Sequence, residues 1–127
     1  MKYMLLLYWS PSEMPAYTPE EYQAVSQIWD GFKTEARAAG VWVADNEGLA
    51  PVTEAKTVRI RDGKTLTADG PFAETHEQLG GYCMLDCKDI DEACAWAAKI
   101  PTALYGSIEV RPLYIYSQTQ DDAVAKA

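Results

Sequence analysis

At 127 residues, 48% hydrophobic and 24% charged, the chain can bury one core and is too short for two domains of ordinary size. With 19 acidic against 11 basic residues, its net charge of -8 repels phosphate backbones, and no Lys/Arg cluster is seen to offset it, so nucleic acid and anionic membrane are set aside as partners. Cys83, Cys87 and Cys94 are an odd number for a disulfide framework and read as core-filling thiols of a cytoplasmic protein.

Lys2 to Trp9 is a continuous apolar run of strand length, suited to a central strand covered on both faces. It is short for a secretory signal, and Pro11, Glu13 and Pro15 follow it without a cleavage pattern. Thr18-Pro19-Glu20-Glu21 forms a capping box with Pro at the first helical position. The helix it opens runs to Gly40, with Tyr22, Val25, Ile28, Phe32, Ala36 and Ala39 as its apolar stripe. Val41-Trp42-Val43 is a short strand. Thr57 to Arg61 alternates, with Val58 and Ile60 turned inward, and Asp62-Gly63 turns the chain back along Lys64 to Ala68.

Tyr82 to Cys87 is a strand entered through Gly80-Gly81, a pair that implies close backbone approach or positive φ. Asp89 with Glu92 opens a second helix, buried along Ile90, Ala93, Ala97 and Ile100 and ended by Pro101. Ser107 to Tyr116 closes the fold, with Ile108 and Val110 on one face and Glu109 and Arg111 on the other. The domain therefore spans residues 1–117, and 118–127 reads as a flexible tail.

This order predicts an α+β fold, a ferredoxin-like βαββαβ unit with an extra hairpin, in which two helices cover one sheet face. The other face needs a cover. Tyr3, Tyr8, Trp9, Trp42, Tyr114 and Tyr116 are assigned to it, and pairing of two copies through it predicts a homodimer.

Between the hairpin and the next strand runs the densest group of special residues, Asp69-Gly70-Pro71-Phe72, Glu74, His76, Glu77 and Gly80-Gly81-Tyr82. Asp69 starts a tight turn and serves either as its cap or as a general base. Glu74 and Glu77 share a face if the segment makes a helical turn, as an acidic wall or a solvated surface. His76 is the sole histidine, a weak acid/base candidate that reads more simply as a loop bystander. Arg111 is a fork for a carboxylate or phosphate, with Glu109 orienting it or pairing with it structurally. Tyr8 and Tyr82 offer hydroxyls to the same cavity, or pack in an interface. Trp29 and Trp96 read as packing residues. There is no spacing for a metal site and no nucleotide fingerprint, so neither metal nor cofactor is assigned.

The Asp69-Gly70-Pro71-Phe72 motif, Glu74, Glu77 through Tyr82 and Glu109-Val110-Arg111-Pro112 together resemble the YCII-related domain proteins, in the branch named for Asp-Gly-Pro-Phe. The resemblance runs from Lys2 to about Pro112 and implies a dimeric α/β barrel. Many proteins of that branch are encoded beside extracytoplasmic-function sigma factors, which implies a regulatory association. Related proteins are thought to use a His-Asp dyad with the His near the first helix; this chain has none there, so the dyad does not carry over. Two readings follow. In one, a cavity near the motif and Arg111 binds a small anion, lined by Tyr8, Phe72, Glu74, Glu77, Tyr82 and Glu109, with cofactor-free proton transfer at Asp69 if there is chemistry. In the other, the motif loop is a docking surface of a non-enzymatic module acting with a sigma factor.

Overall fold

The computed structural model describes residues 1–44 and 48–114. Along the chain lie β1 (Lys2–Trp9), α1 (Pro19–Ala38), β2 (Trp42–Ala44), β3 (Lys56–Arg61), β4 (Lys64–Asp69), β5 (Gln78–Asp86), α2 (Ile90–Ala97) and β6 (Ser107–Pro112), with 3-10 turns at Val52–Glu54 and Pro101–Leu104. Four strands form one sheet in the order β2-β5-β1-β6, and each hydrogen-bonded pair is antiparallel. This arrangement is consistent with a ferredoxin-like unit.

Local chemistry sets the helix ends. Thr18 accepts from the Glu21 amide at 3.2 Å while Glu21 reaches back to the Thr18 amide at 3.4 Å, which satisfies donors that the first helical turn leaves free. Asp89 caps α2 through the Glu92 amide at 2.8 Å. At the other end of α1, Gly40 takes φ 73°, a conformation an L side chain rarely adopts.

The core lies between the helices and one sheet face. Tyr3, Leu5 and Leu7 of β1 and Cys83 and Leu85 of β5 meet Phe32, Ala36, Ala93, Ala97 and Ile100. Phe32 makes edge-to-face contacts with Trp29, Trp42 and Trp96 at centroid distances of 6.1, 6.3 and 6.1 Å, tying α1 to β2 and α2.

Several expectations change here. Tyr3 is buried and Trp42 touches Phe32, so both belong to the helix-covered face, not the open one. Trp9 also packs against the core. On α1, Tyr22, Ile28 and Ala39 are exposed, and the inward stripe is Val25, Trp29, Phe32 and Ala36. Cys94 is exposed, whereas Cys83 and Cys87 are buried. The largest correction concerns β3 and β4, which among the described residues pair only with each other. Val58 and Ile60 are 63% and 66% exposed, not inward, because alternation shows that side chains share a face without showing that anything covers it. Tyr116 and the tail lie outside the described residues, and β6 ends at Pro112.

Candidate functional site

Strand register locates the open sheet face residue by residue. Met4 stands between Met84 and Arg111, Leu6 between Tyr82 and Glu109, and Tyr8 between Leu79 and Ser107. Arg111 and Glu109 form an ion pair with each other, in the arrangement expected of positions two apart on a strand. Asp69 bonds Lys56 at 2.6 Å across the open end of the hairpin and is 87% exposed. It therefore closes a hairpin ladder on the surface, and Gly70 after it turns with φ 91°.

The motif loop borders two hollows that meet at Tyr8. One, of about 780 Å³, is walled by Tyr8, Val52, Pro71, Phe72, Glu74 and Leu79. The other, of about 630 Å³, is walled by Tyr8, His76, Glu77, Ser107 and Glu109. Neither includes Arg111 or Asp69 in its wall. No helical turn forms between Ala73 and Leu79, so Glu74 and Glu77 part company, and the Glu77 carboxylate accepts from the Ser107 hydroxyl at 3.0 Å. Glu74 stands in the wall of the first hollow, and Glu77 and Glu109 in that of the second. His76 pairs with Glu13 at 2.9 Å and so ties the loop to the β1–α1 connector, 63 residues away in sequence.

That connector leads to a different cavity. About 490 Å³ lies between α1 and the sheet, with Leu7, Trp9 and β5 residues Gly80, Gly81 and Tyr82 on one side. Met14 and Tyr17 of the connector and Tyr22, Val25, Ser26 and Trp29 of α1 form the other side, and Thr102 and Tyr105 close one end. The aromatic walls offer stacking surface, and three polar groups punctuate them. Thr102 is 2% exposed, yet its hydroxyl makes no hydrogen bond among the described residues. Asp30 and half-buried Lys33, about one turn apart on α1, likewise have side chains without an ion pair among the described residues. A buried hydroxyl with no partner is costly unless something else bonds it.

Residues 1–116 match the YCII-related domain. This chain belongs to the YCII-related domain family. An uncharacterised protein of Rhizobium meliloti (strain 1021) is 38% identical over 118 residues, covering 91% of this chain and 94% of that protein.

In this YCII-related chain, the sequence picked out the motif loop but not the group around α1. Ser26, Trp29, Asp30 and Lys33 fall at helical spacing and share a side of α1, which is the signal that was present. It was masked by the more apolar stripe through Tyr22 and Ile28. The strongly shifted thiols lie elsewhere: burial pushes Cys83 up to about 12, and burial, helped by Glu92, pushes Cys87 up to about 11. Both are thus inert as nucleophiles near neutrality. Among the described residues no three His, Cys, Asp or Glu side chains gather to hold a metal, and no helix is long and apolar enough to cross a membrane.

Proposed function

We propose that this protein, of the Asp-Gly-Pro-Phe branch, binds a small organic anion with an aromatic or other planar apolar body in the cavity beneath α1. The observation that carries the reading is that one aromatic-walled space is lined by Thr102, whose buried hydroxyl makes no hydrogen bond among the described residues, and by Lys33, which forms no ion pair among them. The volume suits a small metabolite, since ligand sites run from roughly 300 to 1,000 Å³ with a few polar groups set in apolar walls. Lys33 supplies a charge-assisted bond to the anionic group, Thr102 a neutral one, and Trp9, Tyr17, Tyr22, Trp29 and Tyr105 the stacking surface. For proton transfer the cavity offers Asp30, whereas Asp69 is held on the surface by Lys56.

In the same reading, two copies pair through the open sheet face, where half-buried Met4, Leu6, Tyr8, Tyr82 and Met84 have no cover among the described residues. The Arg111–Glu109 pair then belongs to that interface and not to the ligand.

Titration with 1-anilinonaphthalene-8-sulfonate, an aryl anion whose emission rises on burial, tests the site. Lys33→Met should weaken its binding about tenfold and Thr102→Val by less, in line with the loss of one charge-assisted and one neutral bond. Equal affinities in wild type, Lys33→Met and a cavity-filling Ser26→Trp variant would place the dye elsewhere and sink the reading.

A further inference from the structure

The cavity beneath α1 opens where the inward row of β5 reaches a glycine. Leu85 and Cys83 are buried against the helices, and alternation puts Gly81 next in that row, opposite Leu7 of β1. With no side chain there, the sheet side of the cavity keeps open space beside Leu7. Half-buried Trp9 and Trp29 stand around that space with Tyr17 and Tyr105, so a flat apolar ring meets aromatic faces. At about 490 Å³ it lies in the lower half of the range for ligand sites, roughly 300–1,000 Å³, which favours a small ligand over an extended one.

Two opposite charges line this space on consecutive turns of α1. Asp30 and Lys33 are three positions apart, a spacing at which an acid and a base on a helix ordinarily meet. Here they do not. Among the described residues neither side chain forms an ion pair or a hydrogen bond, with the other or with any third group. The Asp30 carbonyl accepts from the Thr34 hydroxyl at 2.9 Å, but the carboxylate is left over. Elsewhere Lys56, Lys99 and Arg111 each have a carboxylate partner. Lys33 is half-buried and Asp30 exposed, which sets the carboxylate at the rim of the cavity.

Thr102 is a separate observation on the same space. It is 2% exposed, it stands in the cavity wall, and its hydroxyl makes no hydrogen bond among the described residues. A buried hydroxyl calls for a polar partner, so the occupant must carry polar atoms as well as an apolar body.

We infer that the ligand of this cavity is an aromatic α-amino acid, its ammonium group held by Asp30, its carboxylate by Lys33 and its ring among Trp9 and Trp29. The inference rests on the cavity reading above and narrows its ligand to a zwitterion. The two charges of an α-amino acid sit on one carbon, which suits side chains from adjacent helical turns whose Cβ atoms are about 5–6 Å apart. A plain anion bonds Lys33 and leaves Asp30 as it is, and a plain amine does the reverse. A ligand bearing both charges engages both side chains, through charge-assisted bonds in which the ammonium donates to Asp30 and Lys33 donates to the carboxylate.

Isothermal titration calorimetry of the full-length protein tests it. L-phenylalanine, L-tyrosine and L-tryptophan are compared with the matching 3-arylpropionates, which lack the ammonium group, and arylethylamines, which lack the carboxylate. At least one of the three amino acids should bind, with each of its one-charge analogues about tenfold weaker or more, the factor for losing one charge-assisted bond. Asp30→Asn should weaken the amino acid by a similar factor and leave the arylpropionate unchanged, whereas Lys33→Met should weaken both. Circular dichroism verifies folding, and unchanged arylpropionate binding shows that the Asp30→Asn cavity is intact. An arylpropionate that binds as tightly as its amino acid, both weakened by Lys33→Met, would overturn the zwitterion and leave the anion reading standing. Amino acid binding that neither substitution changes would lie outside this cavity and overturn the inference. Absence of amino acid binding would also overturn it, and the cavity reading would fall with it only if the dye's affinity is likewise indifferent to Lys33→Met and to Ser26→Trp.

Discussion

Gly106 and Gly80 show how single positions hold the cavity in shape. A Cβ on Gly106 would lie 2.1 Å from the Tyr8 carbonyl oxygen, and one on Gly80 would lie 2.1 Å from the Trp9 ring. The obstacles differ in kind. Backbone cannot rotate away, whereas an indole can swing into the neighbouring cavity, so Gly106→Ala should cost more stability than Gly80→Ala, with overpacking of this sort running to about 1–3 kcal/mol. Urea unfolding of the two variants checks the order, and a Gly106→Ala protein as stable as wild type would refute it. The close approach at the glycine pair was readable from Gly80-Gly81, but not that the partner is a tryptophan that walls the cavity. His76 is a second case: its residue type suggested acid/base chemistry, and its place in the fold makes it the link between the motif loop and the connector bearing Met14 and Tyr17.

At the scale of elements, α1 is held at one end and stands off the sheet at the other. Phe32 and Ala36 are buried, while the first two turns offer Tyr22, Val25 and Ser26 to the cavity. Phe32 is the anchor, since its ring meets tryptophans from α1, β2 and α2. Phe32→Ala should therefore lower stability by about 3–5 kcal/mol, the range for truncating a buried aromatic. It should also impair dye binding, because the half of α1 that forms the cavity wall hangs from this contact. Thermal and urea unfolding measure the first effect, and a loss below about 1 kcal/mol, the level of a surface change, would contradict it. The start of α1 was legible residue by residue because a capping box is local. Its inward stripe was misjudged because exposed apolar residues and half-buried polar ones, Ser26 and Lys33, are assigned by what lies opposite the helix.

For the molecule as a whole, the buried thiols set a limit on alkaline stability. Folding raises Cys83 and Cys87 above the ordinary thiol value of 9.0, to about 12 and about 11. The unfolded chain thus releases these protons first. Their contribution is complete below pH 9 and is lost as pH climbs toward 11 to 12, with a slope approaching about 1.4 kcal/mol per pH unit for each thiol. Unfolding free energies measured from pH 8 to 10.5 should fall more steeply for wild type than for Cys83→Ala; parallel curves would show that Cys83 is not protected. At this scale the net charge of -8 conceals its own distribution, an acidic body with a cationic hairpin, which becomes visible once β3 and β4 are seen to leave the main sheet.

What the sequence determined by itself was local or periodic: both helix caps, the Asp62-Gly63 turn, the turn at Gly70, the strand order along the chain and the α+β class. Each depends on φ preferences, on hydrogen bonds spanning a few residues or on apolar repeats, all written in consecutive positions. Tertiary structure alone decided which faces were covered. It turned Tyr3 and Trp42 inward and Val58 and Ile60 outward, and gathered Trp9, Lys33 and Thr102 around one cavity. Burial depends on residues distant in the chain, and no local pattern contains the identity of the surface that arrives opposite.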